Sequence, residues 1–148
     1  MKGQKEQELK FDEVYLDANL FIYASIDTEE IGKNARAIIE KVKKGHYKAY
    51  TTSLTFDEFI YQINKYNNRE TAVEAAELFL KLENLEIIST NMQTIIKMIE
   101  VYKETNLKPR DAFHLASMKQ KDIKTIISSD PDFDKIKGIK RIDFTKKQ

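Results

Sequence analysis

No cysteine occurs in the 148 residues, so disulfides, thiol nucleophiles, iron–sulfur clusters and cysteine-based zinc sites are excluded and an intracellular setting fits. Glycine and proline are scarce, at four and two, and no segment has the make-up of an interdomain linker or a low-complexity tract. No apolar run approaches the roughly 18 residues of a membrane span. The opening MKGQKEQELKFDE is charged and lacks the apolar stretch of a signal peptide, so the chain reads as cytoplasmic with no membrane partner. An excess of one charge is missing too. Lys and Arg number 25 against 24 Asp and Glu, a net +1, so only local charge can point to a partner. Such a balance still leaves basic side chains to hold phosphates in an enzyme that gathers carboxylates around a metal.

What is present is an ordinary globular mixture, 41% hydrophobic and 33% charged, in a length suited to one domain with one continuous core. Residues 1–12 read as a charged N-terminal extension and residues 13–148 as the folded domain. Short apolar runs alternate with longer amphipathic segments. Strands are expected at Val14–Leu16, Lys48–Thr52, Leu85–Ser89, Lys124–Ser128 and Arg141–Phe144, and helices at Asn19–Ser25, Glu29–Lys44, Thr55–Tyr66, Arg69–Leu82, Thr94–Thr105 and Arg110–Lys119. Gly45 suits the residue just past a helix end, Asn67-Asn68 separates two helices, and Pro109 sets a helix start. The alternation predicts an α/β domain with a mainly parallel sheet of four to five strands between helical layers.

In such a sheet ligands gather beyond the carboxyl ends of the strands, so acids at that edge are informative. Asp17 ends the run Val14–Leu16 and opens the next helix, where it suits either a site or an N-cap. Asn19 could steady Asp17 or cap the helix itself. Glu58 lies one turn into a helix among Phe56, Phe59 and Ile60, where a charge needs a partner; Asp57 competes with it. Asp111 sits in the first turn of KPRDAFHLA beside Ala112, Phe113, Leu115 and Ala116, and reads as a site acid or as compensation of the helix dipole. Asp130 follows the fourth strand in SSDPDFD, with Asp132 and Asp134 close behind, and this is also a good turn sequence. His114, one turn after Asp111, could reach the site, but its ordinary reading is a partly buried core histidine. His46 reads as a loop residue, and the seven Tyr and eight Phe as packing. Four converging carboxylates repel one another by several kcal/mol unless a cation neutralises them, and an all-oxygen set selects a hard ion such as Mg²⁺ or Mn²⁺.

The segments VYLDANLFIY, TFDEF, KPRDAFHLA and ISSDPDFDKI, in this order between Val14 and Phe144, resemble the PIN-domain family, and in size and layout the toxin ribonucleases of VapBC-type toxin–antitoxin pairs. The resemblance implies a three-layer α/β/α fold. It also implies that Asp17, Glu58, Asp111 and Asp130 are catalytic metal-binding acids, with Asp132 near a second ion and Asn19 and Ser128 in support. RNA would be the substrate, a small antitoxin protein the inhibitor filling the active-site groove, and a homodimer the assembly. Lys33, Lys108, Arg110 and Lys135 are the candidate phosphate contacts. Glu58 is open to three roles: direct ligand, ligand through water, or proton acceptor. Two other readings compete. One is a binding module that keeps the fold without turnover. The other is a phosphatase of the haloacid-dehalogenase type with Asp17 as nucleophile, weakened because the acid/base Asp expected two residues on is Asn19.

Overall fold

The computed structural model describes residues 12–147. The elements run β1 (Asp12–Leu16), α1 (Ala18–Ile26), α2 (Glu30–Lys43), β2 (Tyr47–Thr52), α3 (Ser53–Tyr66), α4 (Arg69–Leu80), β3 (Leu85–Ile88), α5 (Met92–Glu104), α6 (Pro109–Gln120), β4 (Thr125–Ile127), a 3₁₀ helix (Pro131–Lys135) and β5 (Lys140–Ile142). The five strands form one sheet in the order β3-β2-β1-β4-β5, and all four pairings are parallel.

Period-2 alternation in β1 assigns the layers. Val14 and Leu16 join a core with residues of α1 to α4, including Leu20, Ile38, Phe59 and Phe79. Tyr15 points the other way, into a core with Val101 of α5, Leu115 and Met118 of α6 and Phe133 of the 3₁₀ helix. The sheet therefore lies between two helical layers. The interior strand β4 is the β-branched run TII, and Ile126 and Ile127 supply the two cores in turn, as expected where both faces of a parallel strand are covered. A fully buried Leu16 or Ile127 stabilises by about 2 kcal/mol relative to exposure.

Local signals fix the ends that matter for the site. Pro109 occupies the first turn of α6, where its missing N–H costs nothing. Gly45 takes φ +78 after α2 and donates its N–H to the Val42 carbonyl at 3.0 Å. Between α1 and α2 the Asp27 carboxylate accepts from the Gly32 N–H at 2.6 Å, and a Cβ at Gly32 would fall 2.1 Å from the Asp27 carbonyl oxygen. Only glycine permits that approach.

The element ends fall within two residues of expectation, and three of the differences bear on the chain ends or the site. Asp12 already belongs to β1, while residues 1–11 of the expected extension lie outside the described residues. The last strand is Lys140–Ile142 rather than Arg141–Phe144, with Phe144 buried beyond its end. SSDPDFD does more than turn: Pro131–Lys135 winds into a 3₁₀ helix, because Pro131 at its first position presets φ and Asp130 caps it.

Candidate metal centre

The strand order reverses direction at β1: β2 and β3 extend the sheet to one side, and β4 and β5 to the other. The carboxyl ends of β1 and β4 therefore diverge into loops that leave a crevice between them. A cleft of about 640 Å³ opens there, and Asp17, Glu58, Asp111 and Asp130 all line it. Asp17 arrives at the end of β1, Glu58 from the second turn of α3 after β2, Asp111 from the first turn of α6, and Asp130 from the loop after β4.

Asp17 is buried, and three donors hold its carboxylate. Oδ1 accepts from the Ala18 N–H at 2.8 Å; Oδ2 accepts from Ser128 Oγ at 2.6 Å and from Asn19 Nδ2 at 3.4 Å. Asp17 also caps α1, so the helix-capping reading holds for a side chain that also lines the cleft. Ser128 Oγ in turn accepts from the Asp130 N–H at 3.0 Å. His114 Nε2 lies 3.2 Å from Glu58 Oε1 and 3.8 Å from Asp17 Oδ1. Asp17, Glu58 and His114 each offer a ligand atom, all within 4.8 Å of one another.

A second group of three, Asp111, Asp130 and Asp132, meets the same spacing, and all three are only partly buried. Asp130 Oδ1 accepts from the Asp132 N–H at 2.9 Å. Desolvation, then the neighbouring charges of Asp130 and Asp17, raise the Asp111 carboxyl to about 7, while His114 works the other way. The acidic neighbours of Asp111 therefore favour a proton or a cation at its carboxyl. The donors of the centre are oxygens with one imidazole, a set that fits a hard divalent ion at the carboxylates. Burial opposes a charged His114, but Tyr15, the Glu58 hydrogen bond and the Asp17 charge prevail and push it up to about 10.

His114 corrects the sequence reading. The ordinary, partly buried core histidine proves fully buried, at 1% exposure, and bonded into the acid cluster. Its position one turn after Asp111 was the only signal available. The basic candidates divide. Arg110 lines the cleft, and Lys135 reaches Asp132 at 3.7 Å. Lys33 on α2 and Lys108 before α6 are exposed and do not line it. Asp134 turns away to a bidentate pair with Arg141, at 2.8 Å to each oxygen. Asp57 lines the cleft but is exposed beside Glu58.

The PIN domain family model matches residues 14–139. No curated protein matches by sequence. Among solved structures, VapBC2 from Rickettsia felis, bound to a DNA fragment from its promoter, aligns with a TM-score of 0.69 at 17% identity over 88% of this chain and 97% of that one. DNA-bound VapBC from Salmonella typhimurium aligns at 0.68 and 20% identity, over 89% and 98%. VapC20 from Mycobacterium tuberculosis, described as a sarcin–ricin loop cleaving toxin, aligns at 0.65 and 17% identity, over 82% and 92%. At these identities the likeness is one of fold. It matches the all-parallel five-stranded sheet between two helical layers. With the family model covering most of its length, and the four acids on one cleft at the reversal of the sheet, this chain belongs to the PIN domain family.

Proposed function

We propose that the chain is a metal-dependent endoribonuclease that hydrolyses RNA phosphodiester bonds, and the toxin of a VapBC-type toxin–antitoxin pair. The observation that carries this reading is the convergence of Asp17, Glu58, Asp111 and Asp130 on one cleft, in a charge state that calls for a cation. The solved relatives described as toxin–antitoxin complexes and as an RNA-cleaving toxin support it.

Asp17, Asp111 and Asp130 would hold Mg²⁺ or Mn²⁺, with Asp132 beside a second ion and Asn19 and Ser128 fixing Asp17. A divalent ion bound there supplies an activated water at neutral pH and offsets charge on the phosphate. Glu58, one-fifth exposed at the cleft wall, is near enough to Asp17 to share the ion or to accept a proton. Arg110 at the cleft and Lys135 beside Asp132 are the phosphate contacts this reading favours, whereas Lys33 and Lys108 do not line the cleft. The cleft continues along apolar Ile22, Tyr23, Ile26, Tyr61 and Tyr66, a wall suited to a segment of a small antitoxin protein. A homodimer is the proposed assembly. The stripe Met92, Ile95, Ile96, Ile99 and Tyr102 on α5, each at least 45% exposed, is a surface a second copy would cover. A single monomeric mass in light scattering at micromolar concentration would count against it.

The test is cleavage of mixed RNAs with Mg²⁺, Mn²⁺ or EDTA. Cleavage should need the metal, and Asp17→Asn should lower it on the order of 10³-fold. RNA bound but uncut under every metal condition would leave the binding-module reading in its place.

A further inference from the structure

Among the described residues, Asp17 receives hydrogen bonds from three donors, whereas the Glu58 carboxylate receives one, from His114 at 3.2 Å. Glu58 carries three rotatable bonds and lies on a helix at an open cleft, and among the described residues no other hydrogen bond holds its carboxylate. His114 is itself held from behind. Tyr15 Oη lies 2.6 Å from Nδ1 and 3.2 Å from Thr52 Oγ1, and the two rings meet edge-on at 5.5 Å. Tyr15, Thr52 and His114 are all buried, so this chain of hydrogen bonds is shielded from water.

We propose that His114 is a positioning residue: its Nε2–H holds Glu58 against Asp17, and Tyr15 with Thr52 fixes the imidazole ring from behind. The arrangement needs only a proton on Nε2, which both the imidazolium and one neutral tautomer carry. Tyr15 comes from β1, Thr52 from the end of β2, Glu58 from α3 and His114 from α6, so the chain ties the orientation of one acid to the packing of sheet against both helical layers. The inference rests on the reading of Glu58 as one of the metal-binding acids.

The test uses the full chain and Mn²⁺ alone, titrated by calorimetry, so that it does not depend on RNA cleavage. Replacing His114 by Phe should weaken Mn²⁺ binding about 10- to 100-fold, the range for groups that orient ligands. His114→Gln, which keeps an N–H donor, should recover most of the loss, and Tyr15→Phe should cost a smaller factor. Combining His114→Phe with Glu58→Ala should cost no more than Glu58→Ala alone, because without the Glu58 carboxylate the imidazole has nothing left to position. A purely structural role would give additive losses and no rescue by Gln, and either result overturns the proposal.

A second readout needs no variant. The chain has two histidines, and His46 is exposed, so nitrogen NMR of the labelled protein distinguishes the buried ring. Nε2 of His114 should stay protonated before and after Mg²⁺ is added. Loss of that proton on Mg²⁺ binding would make His114 a ligand and overturn the positioning role. Absence of Mn²⁺ binding by the unaltered protein would instead strike the metal-centre reading itself.

Discussion

The two halves of the acid centre are built on opposite terms. Asp17, Glu58 and His114 form a half whose carboxylates receive hydrogen bonds from fixed donors, with Asp17 and His114 buried. Asp111, Asp130 and Asp132 form a half that is partly open to solvent, and there the Asp111 carboxyl is raised by burial and by its acidic neighbours. The difference lies in what supplies the balancing positive charge. In the first half the fold supplies it, through backbone N–H, hydroxyl and imidazole donors. In the second half the raised Asp111 carboxyl, beside Asp130 and Asp17, favours a proton or a cation instead. A centre divided in this way is preorganised on one side and responsive on the other.

The strongest way to break this contrast is Asp111→Asn. On the proposed function, Asp111 is one of the acids that would hold the metal, and its loss should lower RNA cleavage on the order of 10³-fold. The same change should alter how stability depends on pH. The Asp111 carboxyl stands at about 7 in the folded chain against 3.8 for a free aspartate side chain, so its protonated form favours the folded state. That contribution is complete below 3.8, shrinks as pH rises, and is gone above 7. With EDTA present, the Tm of the unaltered protein should therefore fall from pH 4.5 to 6.5, and Asp111→Asn should flatten that slope. His114, raised from 6.5 to about 10, loses its own contribution only at higher pH and does not obscure this window. At pH 8, Mn²⁺ at about 100 times its Kd should restore about 2.7 kcal/mol, a rise of several degrees in Tm. An equal slope in both proteins would mean that the open half carries no excess charge.

Much of this contrast was legible in the sequence, and the exceptions share a cause. Asp17, Asp111 and Asp130 stand at strand ends or a helix start, positions that local patterning locates, and a parallel sheet must bring such positions to one edge. Glu58 was readable because aromatic neighbours marked its helix as packed. His114 was read as ordinary because its role depends on Tyr15, 99 residues away, and on Glu58, 56 residues away, pairings that no local pattern encodes. Charge alone singles out a basic residue without saying where the fold puts it; Lys33 and Lys108 are exposed and do not line the cleft, and Arg110 lines it. Asp134 was separable from Asp130 and Asp132 only once the fold put Arg141 of β5 within reach.

Ser128 joins the two halves and sharpens the comparison. Its hydroxyl donates to Asp17 on the wired side and accepts from the Asp130 N–H on the open side, at 2.6 and 3.0 Å. Ser128→Ala should lower metal affinity and cleavage about 10- to 100-fold, the range for groups that orient ligands. The folded chain should lose only about 1 kcal/mol, read by urea denaturation, since one buried hydroxyl is removed and Asn19 still donates to Asp17. Cleavage at the unaltered rate would mean that the two halves are positioned independently.

The smallest expected effect concerns which half the substrate crosses. Arg110 precedes Asp111 on α6 and lines the cleft, so a phosphate entering there meets the guanidinium beside the open half. Arg110→Ala should raise KM for RNA a few-fold with little change in kcat, and should make binding less sensitive to salt because one fewer counterion is released. Lys33→Ala should change neither quantity, because Lys33 lies on α2 outside the cleft. KM measured at two salt concentrations for the three proteins decides the matter: equal losses for Arg110→Ala and Lys33→Ala would route the RNA over α2, past the wired half, and leave the open half without a phosphate to meet.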